Sequence, residues 1–542
     1  MDRPPAVWML ILICTTLWGG EFVRRGLWEP DEARYAYVAR EMRQTGNWFV
    51  PHINGELYPD KPPLLFWLIN TSSLLTGGRI NGVSARIPSL LGSILTLWAV
   101  ARLTARWHSA RAAWRSVAVL STSYMFWHEG GWGRTDALLC GFVMMSVYFL
   151  IISNDGKSPR KELAGYLFCG LAALTKGPIG LLLPIGIYLC VLSADRDEPG
   201  PGAARLSRGV LTALCIPAAW LAAAWLSGAP GSYFVSMFTE KSFARIANST
   251  GHSRPAFYYL WHFPLEFLPW TVALPAAFVT ISYPALKRRL IAWFLFVIIL
   301  FSLFTCKRNV YILAAYPAVA MMIGIAWDDF EHLSPRARTA SVATMVALIC
   351  LIGVGEAVAS FVPTLPFDGR TLVLPAGIMI SGGLLLIPTV RTAGLGNRWF
   401  SLLIAILFLQ QVALSVLVYP AVNDLKAPLQ FAEQTMKLTE LTQPVYLFRH
   451  QMAIFPLYAN RPGKCIRSYA ELQRLVSTER NGVAVFTRDA WEAAPRFRAH
   501  AIDTHRTRVG HKEFVWMHFA NTTEPLDAIT ETKHRVKRCF RL

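Results

Sequence analysis

Long apolar runs separated by short polar loops occupy most of the first 420 positions of this 542-residue chain. A run of about 20 apolar residues fills the hydrocarbon thickness of a bilayer. By that criterion we predict spanning helices at about 6–23, 83–103, 112–129 and 134–153, and others that start near 207, 257, 289, 309, 339, 372 and 399. Thr175 to Pro178 interrupt the stretch 163–193, which predicts a hairpin of two short helices, whereas the short run 64–75 predicts an interfacial helix. The total is about thirteen transmembrane helices.

Composition agrees with this pattern, because 54% of the residues are hydrophobic and only 16% are charged, which is too apolar for a soluble protein of this size. The formal net charge is +19. Most Lys and Arg residues fall in short loops between apolar runs, as expected of topology signals and contacts with membrane lipids. We therefore predict a multi-span membrane protein and no nucleic-acid partner.

The positive-inside rule assigns the loops to two faces. Six short loops rich in Lys and Arg fall on one side if 163–193 is a hairpin and 64–75 does not cross. The opposite face then collects charged residues that the rule does not explain: Asp31, Glu32, Arg34, Lys61, Asp136, Lys176, Glu240, Lys241, Arg245, Lys307 and Arg308. A shared external site would explain them.

Adjacent carboxylates in the first loop are the strongest chemical feature of that face. Pro30 suits the first turn of a helix, so Asp31 and Glu32 would lie near a helix N-terminus, where the dipole favours ionised carboxylates. Nearby cations could bind a phosphate. The alternative is structural: the two acids form a charge pair on a wet loop, Lys61 snorkels and Asp136 caps a helix.

From about 421 onward the pattern changes to short apolar strands between helical stretches, namely Val445 to Phe448, Val483 to Phe486 and Phe514 to Phe519. This pattern predicts a small soluble α/β domain over 421–542, after a membrane domain over 1–420 whose first external loop is 24–62. Cys465 and Cys539 lie in this tail, and whether they pair is left open.

Ordered motifs over more than half of the chain resemble a known family. They are PDEARYAYVAREM, VPHINGELYPDKPPLLFW, LTKGPIGLLLP, FTEKSFARIA, RPAFYYLWHFPLEFLPW and FSLFTCKRNVYILAAYP. The family is that of the bacterial lipid A aminoarabinose (4-amino-4-deoxy-L-arabinose) transferases, polytopic GT-C glycosyltransferases related to the protein O-mannosyltransferases. The resemblance implies the GT-C fold, an undecaprenyl-phosphate sugar donor, a lipid A or related glycan acceptor, and a bacterial inner membrane with the site facing the periplasm.

The resemblance also implies roles for single residues. Asp31 and Asp136 match acidic positions of the catalytic centre, and the implied donor-phosphate contacts are Arg34, Lys61, Tyr311, Lys176 and Arg245. Glu32, Glu240, Lys241 and Lys307 are further candidate substrate contacts. No cofactor is assigned, and the candidate ligands for a divalent metal are Asp60 and Glu240.

The expected reaction is a direct displacement with inversion. Two alternatives stay open from the sequence: protein O-glycosylation with the same kind of donor, and a polyprenyl-lipid flippase or transporter, although no internal repeat typical of a transporter is apparent.

Overall fold

The computed structural model describes residues 3–156, 158–194, 200–239, 253–328, 334–392, 397–479 and 481–520. The chain forms two compact units. Unit 1 contains Met1–Gly26, Met42–Pro51 and Leu57–Asn423, and unit 2 contains Leu27–Glu41, His52–Glu56 and Asp424–Leu542. Unit 2 therefore includes part of the first loop, which the sequence assigned to the membrane domain.

Helices make up nearly all of the regular structure in unit 1. In chain order they are α1 (Val7–Arg24), α2 (Glu32–Thr45, most of it in unit 2), α3 (Leu64–Ser73), α4 (Gly82–Trp107), α5 (Ala110–Thr122), α6 (Tyr124–Gly130), α7 (Thr135–Gly156), α8 (Pro159–Lys176), α9 (Ile179–Ser193), α10 (Ala203–Leu226), α11 (Gly231–Phe238), α12 (Tyr258–Glu266), α13 (Leu274–Thr280), α14 (Pro284–Ser302), α15 (Tyr316–Ala326), α16 (Pro335–Ser360), α17 (Val373–Thr392), α18 (Asn397–Ala413), α19 (Tyr419–Ala421) and α20 (Asn423–Lys426). The 3₁₀ segments include Asn309–Ala315, seven residues directly before α15.

Seven helical segments of the described residues are long and apolar enough to cross a membrane, or up to eight if the bent pair Tyr258–Glu266 and Trp270–Thr280 forms one span. The predicted count of thirteen is therefore not confirmed. One reason is that the apolar stretch 112–129 breaks at Ser123 into α5 and α6, and 13 and 7 residues are each too few for a crossing. The multi-span character itself is confirmed.

The predicted hairpin over 163–193 is confirmed. Helix α8 ends at Lys176 and α9 begins at Ile179. Between them Gly177 has φ +73° and ψ −149°, a conformation that residues with a Cβ rarely adopt. The apolar run 64–75 contains α3, whose 10 residues are too few to span a bilayer as a helix.

Unit 2 contains the predicted α/β domain. Its further helices are α21 (Leu429–Leu438), α22 (Ile454–Tyr458), α23 (Tyr469–Thr478) and α24 (Arg488–Glu492), and its strands are β1 (His52–Ile53), β3 (Val445–Phe448), β4 (Gly463–Ile466), β5 (Asn481–Thr487), β6 (Ala501–Val509) and β7 (Lys512–Ala520). Strand β2 (Glu56–Leu57) begins in unit 2 and pairs with β1.

The main sheet of unit 2 has the order β4-β3-β5-β7-β6. Strand β3 pairs in parallel with β4 and β5, whereas β7 is antiparallel to β5 and β6. The three predicted strands are confirmed as β3, β5 and β7. Two were missed: β4 carries Gly463 and Lys464, and most of β6 is polar, so neither shows an apolar run. A core that includes Phe448, Leu472 and Phe486 packs on one face of the sheet.

Candidate active site

In unit 2, Asp31 lies directly before the first residue of α2. Its carbonyl oxygen accepts the backbone N–H of Tyr35 at 2.9 Å, which places Asp31 at the N-cap position. Only 6% of Asp31 is exposed. Pro30 lies in the turn before α2 rather than in its first turn. The predicted setting of Asp31 at a helix N-terminus is therefore confirmed, with the helix beginning two residues after Pro30.

Three further charged groups lie in the same segment. Glu32 is fully buried, and its carboxylate accepts the N–H of Trp28 at 3.3 Å. Glu29 accepts the N–H of Ile454 at 3.1 Å. Burial raises the pKa of Glu29 from its ordinary 4.5 to about 7, although the charge of Arg34 opposes the shift and that of Asp31 adds to it. The segment thus combines adjacent acids with a cation, as the sequence predicts.

The helix that carries these acids is held by the C-terminal part of the chain, within unit 2. The guanidinium of Arg40, which is only 7% exposed, donates to the carbonyls of Pro456 at 2.9 Å, Leu457 at 3.1 Å and Arg461 at 2.9 Å. The hydroxyl of Tyr37 accepts the N–H of Gly463 at 2.7 Å. These bonds join α2 to the domain that follows residue 424.

On the other side of α2, a carboxylate fixes the β1–β2 turn. Glu41 accepts the N–H of Asn54 at 2.8 Å and that of Gly55 at 2.7 Å. Asn54 and Gly55 both have positive φ, 55° and 79°, so this turn relies on a side-chain acceptor for its backbone donors. Glu41, like Tyr37 and Arg40, was not singled out from the sequence.

In unit 1, the structure brings together Asp136, Lys176 and Tyr311. The Lys176 ammonium forms an ion pair with the Asp136 carboxylate, and it lies 4.6 Å from the centre of the Tyr311 ring. The side chains of Lys176 and Asp136 are only 13% and 10% exposed. Shielding from water strengthens both the ion pair and the cation–π contact.

Asp136 and Lys176 each lie at a helix end whose dipole favours their charge. Asp136 lies in the first turn of α7, where the helix dipole favours an anion. Lys176 is the last residue of α8, where the dipole favours a cation. Gly177 then turns the chain into α9. The interruption that the sequence shows at this point therefore places Lys176 at the end of a helix, at the tip of the hairpin.

The remaining candidates have different positions. Asp60 and Lys61 are half-buried in unit 1, shortly before α3. Lys307, only 4% exposed, lines a separate cavity of unit 1. Glu240, Lys241, Arg245 and Cys539 lie outside the described residues. Among the described residues, no three His, Cys, Asp or Glu side chains come together in a group that could hold a metal ion.

Known proteins resemble this chain in sequence and in fold. Residues 60–227 match the family described as dolichyl-phosphate-mannose-protein mannosyltransferase. The undecaprenyl phosphate-alpha-4-amino-4-deoxy-L-arabinose arabinosyl transferase 1 of Pseudomonas fluorescens (strain Pf0-1) is 29% identical over 60% of this chain. That match spans 59% of the relative, less than two thirds of its length. The corresponding transferase of Shewanella sediminis (strain HAW-EB3) is 28% identical over 76% of this chain and 77% of its own.

Among solved structures, that of ArnT from Cupriavidus metallidurans bound to undecaprenyl phosphate superposes with a TM-score of 0.78. It is 21% identical in sequence, and the superposition covers 94% of this chain and 97% of that one. The fold is thus that of the polytopic GT-C membrane proteins with a small C-terminal α/β domain, as predicted. Within that class, the chain is similar to the undecaprenyl phosphate-aminoarabinose arabinosyl transferases, in agreement with the resemblance seen in the motifs.

Proposed function

We propose that this chain is an integral-membrane glycosyltransferase that moves an amino sugar from undecaprenyl phosphate to lipid A or a related glycolipid. The relatives are named for a 4-amino-4-deoxy-L-arabinose donor of this type, which supports the sugar class. We place the protein in a bacterial inner membrane with the site on the periplasmic face, because the candidate charges fall opposite the loops rich in Lys and Arg.

The strongest support for the proposal is the setting of Lys176 at the hairpin break. Among the described residues its ammonium has one hydrogen-bond acceptor, Asp136, so two of its three N–H donors remain for a ligand. Interrupted helices at membrane depth line cavities and binding sites. A lysine at such a break, fixed by a carboxylate and an aromatic ring, is suited to bind a lipid-linked phosphate.

The chemistry divides between the leaving group and the acceptor. The bond from the anomeric carbon to the phosphate oxygen breaks, and the departing undecaprenyl phosphate keeps the electron pair. Cations can stabilise that charge without a proton transfer, a role that we assign in unit 1 to Lys61 and Lys176, with Tyr311 as a further phosphate contact. For Arg34 and Arg245 a phosphate contact is implied by the family resemblance alone. The acceptor oxygen forms the new bond to the opposite face of the anomeric carbon, so the configuration inverts.

Asp31 has a role that depends on the acceptor. For a hydroxyl acceptor, Asp31 would take its proton as general base. A phosphate acceptor is already ionised and needs no base, so Asp31 would instead orient it or stabilise positive charge on the sugar. Glu32 is assigned to substrate positioning through the same helix start, and Asp136 holds Lys176.

Mass spectrometry of lipid A from cells that express the wild type or Asp31→Asn tests this proposal. Asparagine keeps the N-cap but removes the charge, so we expect the pentose-amine mass increment with the wild type and a transfer rate lower by roughly 10² to 10⁴ with the variant. Asp489→Asn, at an exposed acid in the first turn of α24, is the matched control and should match the wild type. Equal increments in all three would exclude Asp31 from the chemistry.

A protein acceptor is the second candidate, because residues 60–227 match the protein mannosyltransferase family. It predicts that undecaprenyl-phosphate sugar is consumed, that lipid A keeps its mass, and that glycosylated peptides appear. A transporter predicts neither transfer product.

A further inference from the structure

A polar cavity in unit 1 is not used by the chemistry above. Its volume is about 340 Å³, and its lining includes Glu129, Arg134, Arg254, Glu266, Lys307 and Asn309. It draws on two of the sequence motifs, RPAFYYLWHFPLEFLPW and FSLFTCKRNVYILAAYP, and contains Lys307, for which the family resemblance implies a substrate contact. Charged groups in a membrane protein are expensive to bury and are commonly functional.

The two acids of this cavity are already engaged by the protein. Glu129 is fully buried and lies 3.1 Å from both Arg134 and His128. Burial alone would raise the pKa of Glu129, but the charge of Arg134 and the hydrogen bond from His128 outweigh it and keep the pKa below its ordinary value. Glu129 is therefore an ionised partner for Arg134.

Glu266 belongs to a second chain of hydrogen bonds. The Tyr258 hydroxyl donates to the side-chain oxygen of Asn309, and the Asn309 amide donates to Glu266. This assigns Glu266, the acid of the RPAFYYLWHFPLEFLPW motif, to a local network that orients Asn309 and Tyr258.

The cations Lys307 and Arg254 are not balanced in this way. The Lys307 ammonium donates to the carbonyls of Arg254, at 3.1 Å, and Phe304. Within the described ranges, neither Lys307 nor the side chain of Arg254 has a carboxylate partner. A buried ammonium that has carbonyl acceptors but no opposite charge is poorly compensated for the loss of water. An anion in the cavity would supply the missing charge.

We infer that this cavity binds a phosphate group of the acceptor lipid, an inference that rests on the proposed transfer to a phosphate-bearing glycolipid. Lys307 has a third N–H donor for such a ligand, and Arg254 offers a fork-shaped guanidinium that matches phosphate oxygens. The cavity is large enough for a phosphate with part of the sugar attached to it.

A phosphate of the acceptor fits this cavity better than that of the donor. The donor carries one phosphate, and the proposed chemistry already assigns Lys61 and Lys176 of unit 1 to it. A second phosphate needs its own cations, because two anions sharing one set would repel each other. Lys307 lies four residues before Tyr311, whose ring Lys176 covers, so one short segment of unit 1 carries both a cavity cation and a contact of Lys176.

Binding measurements with purified protein in detergent test the inference. The probes are lipid A with two phosphates, lipid A with both phosphates removed, and undecaprenyl phosphate, and the readout is the Kd from microscale thermophoresis. The proteins are the wild type, Lys307→Gln and Arg254→Gln. Arg254→Gln guards against misfolding of the buried-lysine variant, because the Arg254 residue is exposed. Lys287→Gln is the control, since Lys287 also donates to a backbone carbonyl, that of Phe278, but does not line the cavity.

We expect both cavity variants to raise the Kd of phosphorylated lipid A by about tenfold or more, the usual effect of losing a charge-assisted hydrogen bond. Their affinity for undecaprenyl phosphate should change by less than about twofold, and Lys287→Gln should resemble the wild type. Removal of the lipid A phosphates should weaken the wild type and abolish the difference between it and the variants.

Two results would overturn the inference: an equal loss of undecaprenyl-phosphate affinity, which would assign the cavity to the donor, or unchanged affinity for every probe. A separate result addresses the proposed function. If the wild type binds phosphorylated lipid A through Lys307 yet transfers no sugar to it, the phosphate site stands and the transfer proposal fails.

Discussion

The start of α2 in unit 2 and the hairpin break in unit 1 both present charged candidates, but they hold them by different means. In α2, a buried arginine donates to three backbone carbonyls more than 400 positions away in the chain. At the hairpin break, Lys176 pairs with one carboxylate, and both groups also suit their helix ends. The first arrangement depends on the fold of a distant segment, and the second on two neighbouring helices.

The difference follows from the surroundings. Helix α7 is long and apolar enough to cross a membrane, so its apolar surface places it and one ion pair is enough to orient a charge at its end. Helix α2 is polar, yet most of it is buried, so apolar packing alone does not determine its position. The position of α2 is fixed by hydrogen bonds that Arg40 donates and by one that Tyr37 accepts. The C-terminal domain therefore acts as part of the support for Asp31.

The largest effect in this comparison should come from Arg40→Met. Methionine fills much of the same space but leaves three buried carbonyls without their donor, and each such loss costs about 1–3 kcal/mol. We expect much faster hydrogen–deuterium exchange over 27–41 and 454–463, and a large drop in transfer rate although Arg40 itself touches no substrate in our proposal. Arg40→Lys should rescue only in part, because a lysine cannot reproduce the two-pronged geometry.

Arg474→Met is the control for this variant. Arg474 is exposed on α23, within unit 2, and its loss should leave exchange over 27–41 unchanged. If Arg40→Met also left that exchange unchanged, the C-terminal domain would not support α2, and the proposed difference between α2 and the hairpin break would be wrong.

An intermediate effect is expected from a double-mutant cycle at the hairpin break. Asp136→Asn and Lys176→Gln should couple by about 1–3 kcal/mol in the free energy of unfolding, because the pair is largely shielded from water. The matched pair at the other end of α7 is Arg106 with Asp155, at 2.7 Å, where the arginine side chain is 48% exposed. Its cycle should give less than about 1 kcal/mol. Equal couplings would show that the hairpin break adds nothing to an ordinary surface pair.

Much of this architecture is visible in the sequence, because apolar length and periodicity report burial directly. The interruption at Thr175 to Pro178 predicted the hairpin, and the short apolar runs after 421 predicted three of the strands. Asp136 and Lys176 were predicted on one external face from the loop charges, and the family resemblance predicted roles for them and for Tyr311. Their mutual contact was not, since it depends on how α7, α8 and the segment before α15 pack.

The contacts that the sequence did not predict are made by polar side chains whose partners lie far away in the chain. Arg40 lies in a helix with charged residues on several faces, a pattern that usually indicates solvent exposure. Its acceptors are main-chain carbonyls, which no residue type marks. The cavity around Lys307 was likewise hidden, because the buried state of that lysine depends on the packing of 253–254 against 304–307.

The smallest effect should come from Glu29→Gln. The sign of its effect on stability distinguishes the buried Glu29, next to the start of α2, from an exposed surface acid. Because the pKa of Glu29 is about 7 when folded and near 4.5 when unfolded, the folded state binds more protons between these values. Stability should therefore fall as the pH rises from about 4.5 to about 7, and the penalty should persist above it. Glutamine removes the titration, so the variant should gain stability over the wild type at pH 8 relative to pH 5.

Glu433→Gln is the control. A hydrogen bond and charge from Lys437 lower the pKa of that exposed acid, so its replacement should have a small effect of opposite sign. Thermal unfolding of both variants and the wild type across pH 5 to 8 measures this, and a wild-type profile that Glu29→Gln leaves unaltered would mean that Glu29 stays ionised beside Asp31.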